Sequence, residues 1–115
     1  MVQETVFSKI LRREIPAQII FESEKVLAFK DVNPQAPTHI VIIPKKPLRD
    51  VLEATVEDAT LLGELVLAAA DIARAVGIAQ DGFRLVINTG AQAGQTVFHL
   101  HMHLLAGRAL EWPPG

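Results

Sequence analysis

The chain has 115 residues, half of them hydrophobic, no cysteine and a formal net charge of −2, with a mean hydropathy of +0.28. That length fits a single domain spanning residues 1–115 with a modest core, and the apolar surplus points to a buried subunit interface. Disulfide and thiol chemistry are excluded, and no basic field exists to hold a nucleic acid, although a small anionic ligand needs only a few local donors.

The first residues, Met-Val-Gln-Glu-Thr-Val-Phe, lack a basic stretch followed by an apolar one, so no signal peptide is read there. Val6, Phe7, Ile10 and Leu11 fall at helical spacing within residues 5–13, and Pro16 is expected to end that short helix. Residues 18–22 and 26–30 read as strands joined by a hairpin at Ser23, Glu24 and Lys25. Residues 31–38 contain Asn33, Pro34 and Pro37 and read as a rigid loop. The nearly unbroken apolar run at 39–43 predicts a strand buried on both faces.

Thr55 with Asp58 resembles a capping box opening the main helix, and Gly77 is a natural stop. Leu61, Leu65, Ala69, Ile72, Ala73 and Val76 would share one face of that helix. Its most apolar stretch, 61–70, is too short to span a bilayer and contains Glu64. A cytoplasmic protein without a membrane partner is the expectation. Residues 83–88 read as a strand, 89–94 as a glycine-containing loop and 97–105 as the last strand. Gly107 and Trp112-Pro113-Pro114-Gly115 belong to an irregular tail. This order predicts an α+β fold with an antiparallel sheet.

Three of the four histidines stand at alternate positions, His99, His101 and His103. On a strand they would line one face, with Leu100, Met102 and Leu104 on the other. Three imidazoles make poor core material, because each ring has two nitrogens that need partners. Two functional readings compete. Zinc needs its ligand nitrogens about 2.0–2.1 Å from one point, whereas His99 and His103 would lie roughly 13 Å apart along a straight strand. Catalysis at phosphorus suits the array better: one imidazole attacks and forms a covalent intermediate, and a neighbour serves the leaving group. Gly94, Gln95 and Thr96 stand just before the array, and their N–H groups and hydroxyl would suit a phosphate oxygen.

His99-Leu100-His101-Met102-His103-Leu104-Leu105 resembles the His-x-His-x-His-x-x motif of the histidine triad superfamily. The likeness runs through Phe7-Ser8-Lys9-Ile10, Arg13-Glu14-Ile15-Pro16-Ala17, Asp31-Val32-Asn33-Pro34-Gln35-Ala36-Pro37-Thr38-His39, Ile43-Pro44-Lys45-Lys46 and Trp112-Pro113-Pro114-Gly115. These segments are similar to the Hint branch, the histidine triad nucleotide-binding proteins, which are purine nucleoside phosphoramidases.

The resemblance implies a five-stranded antiparallel sheet with one long and one short helix, and a homodimer whose two sheets join into ten strands. It implies hydrolysis of purine nucleoside 5′-phosphoramidates to nucleoside monophosphate and amine, with no cofactor required. His101 matches the nucleophile and His103 the residue that contacts phosphate and assists the leaving group. His99 and His39 match supporting histidines. Asp31 matches the carboxylate that holds the ribose hydroxyls, with an Asx-type loop anchor before Pro34 a nearly equal reading of the sequence. Phe7, Ile10, Phe29 and Val32 would form the apolar base pocket. Asn88 matches a ribose or phosphate contact. Trp112, in the tail 107–115, matches a residue that reaches the partner protomer's site. Lys45 and Lys46 read as a solvated face rather than phosphate ligands.

Two positions depart from the pattern. Thr96 replaces a usual serine, which keeps the hydroxyl on a stiffer side chain, and a slower site is expected. Pro47 replaces a histidine outside the triad, with little expected effect. Alternatives are dinucleoside polyphosphate hydrolysis, as in the Fhit branch, and a nucleotide-binding regulatory or scaffold role. The Trp-Pro-Pro-Gly tail argues against the Fhit reading, and His103 argues against the uridylyltransferase branch, which has glutamine there.

Overall fold

Local signals start the first helix cleanly. The Thr5 hydroxyl accepts from the N–H of Phe7 and Ser8, and the Ser8 hydroxyl accepts from the Thr5 N–H, so each end of the box satisfies the other. In the computed structural model, which describes residues 4–115, helix α1 spans Val6–Leu11. The first three residues, part of the segment in which no signal peptide was read, lie outside the described residues. The helix ends before Pro16, because Arg13 turns left-handed at φ 61°.

Five strands follow the pattern in the sequence: β1 (Ile19–Glu22), β2 (Val26–Lys30), β3 (Thr38–Pro44), β4 (Arg84–Val86) and β5 (Met102–Ala106). They form one antiparallel sheet in the order β1-β2-β3-β5-β4. Helix α2 (Ala59–Val76) lies between β3 and β4 in sequence. It covers one face of the sheet, where Leu65, Ala69 and Ile72 meet Ile40, Ile42, Met102 and Leu104. The opposite face carries Leu27, Phe29, Val41 and Ile43, covered by Phe7 and Ile10 of α1. Strand β3 is therefore buried on both faces, as its unbroken apolar run required.

Four expectations need correction. Thr55 and Asp58 do form a capping box, but it closes a 3-10 turn, Val56–Asp58, that leads into α2. Val76 is 43% exposed and stands outside the buried stripe, since the helix ends at Gly77 in the left-handed region, φ 82°. The strand read at 83–88 is only Arg84–Val86.

The largest correction concerns the last strand, which begins at Met102 rather than Val97. Ile42 faces Met102 across the β3–β5 ladder, so the next hydrogen-bonding position on β3 is Pro44. Proline has no N–H to give. The Pro44 carbonyl instead accepts from His99 Nε2 at 2.8 Å, and the Leu100 N–H turns to the Leu48 carbonyl at 2.7 Å. The ladder stops there, and residues 97–101 run as irregular chain. Among the described residues, no helix is long and apolar enough to cross a membrane.

Candidate active site

The break in β5 does not scatter the histidines. Leu100, Met102 and Leu104 all enter the α2-side core, so His99, His101 and His103 share the opposite face even though only His103 is on a strand. His39, on β3, joins them. The ring centroids of His39 and His103 are 5.0 Å apart, and those of His103 and His101 are 4.9 Å apart. Phe7 of α1 sets its ring edgewise against His101 at 5.0 Å and against His99 at 6.2 Å.

Partners on each ring assign the protons. His101 Nδ1 lies 2.7 Å from the His99 carbonyl, which only accepts, so Nδ1 carries the hydrogen and Nε2 keeps its lone pair. His99 Nε2 likewise donates to the Pro44 carbonyl. His39 has the reverse arrangement. The Gln35 peptide N–H donates to His39 Nδ1 at 3.0 Å. Its proton therefore sits on Nε2, 2.9 Å from His103 Nδ1 and 3.4 Å from an Asp31 carboxylate oxygen.

All four rings are held below the ordinary histidine range, chiefly because burial penalises the imidazolium. The Asp31 carboxylate only partly opposes this at His39, as do the carbonyls at His99 and His101. His103 is pushed down to about 4, by burial and then by its neighbours His101 and His39. The array is neutral at pH 7, so His101 offers a lone pair rather than a cation. The unfolded chain titrates its histidines near 6.5. Between that value and the lower folded values it binds more protons than the native state, so stability rises with pH in this window. We expect full stability above about pH 6.5 and a progressive fall toward pH 4. Urea unfolding at pH 7 and pH 5 checks this; equal stabilities would contradict it.

Asp31, His39 and His103 offer ligand atoms that all lie within 4.8 Å of one another, close enough to raise the question of a metal. The second partner of His39 has the wrong polarity. A metal-bound imidazole donates its other N–H to an acceptor, whereas His39 Nδ1 faces a peptide N–H donor. These residues fit a hydrogen-bonded chain better than a metal centre.

The other expected site residues divide. Phe7, Ile10 and Phe29, expected to form an apolar base pocket, are buried and pack together in the core on this face of the sheet. Val32 does not join them: it is 96% exposed. It sits inside an Asx turn, in which Asp31 Oδ1 accepts from the Asn33 N–H at 2.8 Å. The carboxylate thus serves both as Asx anchor and as neighbour of His39.

In the glycine loop, two expected donors are already used: Gly94 N–H bonds the Ala91 carbonyl and Gln95 N–H bonds the Gly90 carbonyl. The Gln95 side chain is buried and holds the loop to the Arg49 and Val97 carbonyls. Thr96 is exposed at the end of this loop. Asn88 Nδ2 lies 4.0 Å from where a Cβ on Gly94 would stand, so its amide faces the same loop. Trp112 is 82% exposed, with the tail held by Arg84 on the Leu110 and Glu111 carbonyls. Lys45 and Lys46 are engaged with Glu22 and Asp58. The groups missed from the sequence are main-chain ones: the Gln35 N–H and the His99 and Pro44 carbonyls. Only Pro44 left a signal, as a proline next to a buried strand.

An antiparallel sheet carrying a row of neutral histidines with assigned tautomers defines a class of protein. Residues 12–110 match the HIT domain, and the chain belongs to that family. It is 61% identical to an uncharacterized HIT-like protein of Synechocystis over the full length of both. It is 51% identical to the purine nucleoside phosphoramidase of Escherichia coli, covering 96% of this chain and 92% of that one. The crystal structure of a HIT family hydrolase from Legionella pneumophila superposes with a TM-score of 0.95 at 45% identity, over 97% of this chain and all of that one.

Proposed function

We propose that the protein hydrolyses purine nucleoside 5′-phosphoramidates, of the adenosine 5′-monophosphoramidate type, to nucleoside monophosphate and amine. His101 Nε2 attacks phosphorus and the P–N bond breaks; the amine takes up a proton on the His103 side as it departs, leaving a nucleotidyl group on the ring. Its Nδ1–H stays on the His99 carbonyl, so charge developing on the imidazole meets an acceptor already in place. Water then attacks the same phosphorus and gives up a proton that replaces the one carried off by the amine, releasing the nucleoside monophosphate and restoring His101. One observation carries this reading: the 2.7 Å bond that directs the lone pair of a neutral, buried His101 away from its own backbone.

No cofactor takes part in this scheme. Asp31, Asn88 and the open end of the 94–96 loop are the polar groups proposed to meet ribose and phosphate, with Thr96 supplying the hydroxyl. The proposed working form is a homodimer. Strand β4 is an edge strand, and a second copy on that edge would join two sheets into ten strands. The exposed Trp112 is then proposed to reach the partner's site.

A substrate panel tests the reading. We expect kcat/KM for adenosine and guanosine phosphoramidates to exceed that for diadenosine polyphosphates by at least about a hundredfold, since only interactions made in the transition state discriminate between them. Preferential turnover of the dinucleotides would contradict it.

A further inference from the structure

We infer that the Gln35 peptide N–H is a positioning group that sets the proton order of His39 and His103, so that His103 meets a bound phosphoryl group as a neutral Nε2–H donor. The catalytic consequence rests on the function proposed above; the proton order itself does not.

Two contacts in series carry the argument. Gln35 N–H points at His39 Nδ1 at 3.0 Å. A nitrogen that accepts holds no proton, so neutral His39 is the Nε2–H tautomer. That Nε2 lies 2.9 Å from His103 Nδ1, which must accept in turn. The one proton of neutral His103 is left on Nε2.

The groups facing His39 make this order unusual. Asp31, from the loop after β2, puts a carboxylate 3.4 Å from Nε2. Lys30 pairs with Ile40 and so lies on the other face of the sheet, while His103 approaches from β5. A carboxylate next to imidazole ordinarily favours a second proton. Here that proton would have to enter at Nδ1, directly against the Gln35 N–H. Two donors would then face each other, so the peptide opposes the imidazolium that Asp31 would otherwise favour.

The loop is braced on several sides to hold that N–H in place. The Gln35 carbonyl accepts from Arg108 Nη2 at 3.0 Å, and the Gln35 side chain donates to the Asn33 carbonyl at 2.9 Å. Gly107, at φ 96°, passes so close to Pro37 that an added Cβ would lie 2.7 Å from the proline Cβ. The start of the tail thereby fixes the loop, and the loop fixes the tautomer.

Long-range 1H–15N correlation spectra of the uniformly 15N-labelled full chain at pH 7 read the tautomers directly. We expect His39 and His103 to carry hydrogen on Nε2, with Nδ1 unprotonated, and His101 to show the opposite. Hydrogen on Nδ1 of His39 or His103, or on both nitrogens of either ring, would overturn the inference. In a second protein, residue 35 is incorporated as the α-hydroxy analogue of glutamine, which exchanges only the peptide N–H for an ester oxygen. His39 should then titrate about one pH unit higher, the shift expected for losing one hydrogen bond to the neutral form. Its acid limb of kcat/KM should move in the same direction. An unchanged His39 tautomer and titration would also overturn the inference. Expected tautomers in a protein that ignores phosphoramidates would sink the proposed function alone; turnover with His39 protonated on Nδ1 would sink this inference alone.

Discussion

Replacing His101 with alanine is expected to lower kcat for an adenosine phosphoramidate by about 10⁴-fold or more, the scale seen when a covalent nucleophile is removed. Neither His39 nor His103 is arranged to take its place. His39 commits Nδ1 to the Gln35 N–H and Nε2 to His103, and His99, its Nε2–H held by the Pro44 carbonyl, is less exposed than His101. His103 retains only a protonated nitrogen on its free side, by the proton order inferred above. Steady-state kinetics with purified His101→Ala checks this, with circular dichroism to show that the variant is folded. Because uncharged His101 is buried beside Phe7, its loss leaves a small cavity but no unpaired charge. Activity within tenfold of wild type would contradict the assignment.

Phe7→Ala is expected to lower stability by about 3 kcal/mol, the lower end of the usual cost for deleting a large core aromatic. Phe7 is 8% exposed and meets Phe29 edgewise at 5.5 Å as well as His99 and His101. Its ring is the principal contact by which the six-residue helix α1 reaches the site. The same truncation releases one wall of the His101 ring, and small misplacements of reacting groups cost large factors in rate. We expect kcat/KM to fall about tenfold to a hundredfold. Urea unfolding and kinetics on the same preparation separate the two effects. A destabilised variant with unchanged kcat/KM would show that Phe7 only packs.

Side-chain periodicity made most of this fold readable. The unbroken run at 40–43 required a strand buried on both faces. The alternation of Leu100, Met102 and Leu104 with the histidines put three imidazoles on one face. The alternation outlasted the strand: Leu100 still enters the core that holds Met102 and Leu104, although its backbone is no longer paired in the sheet. The early end of β5 was not readable locally. It depends on Pro44, 58 residues before Met102, standing where the ladder would continue. Nor was the use of the Gly94 and Gln95 N–H groups within their own loop, since a glycine shows that a chain turns but not which amides the turn consumes.

The proton order was hidden for a related reason. It is set by the Gln35 peptide, and every residue but proline carries a peptide N–H. The exposure of Val32 was hidden too: an apolar residue between Asp31 and Asn33 does not show that it stands 96% exposed within an Asx turn. Side-chain identity thus located the histidines, whereas backbone partners determined what each ring nitrogen can do.

The central claim is that His101 carries the nucleotidyl group, and mass spectrometric mapping of the acid-quenched reaction tests it most directly. Wild-type protein mixed with an adenosine phosphoramidate and quenched within a turnover should yield a peptide containing adenylylated His101, absent from His101→Ala. An adduct on His99, His103, His39 or any other residue in the wild type would contradict the account.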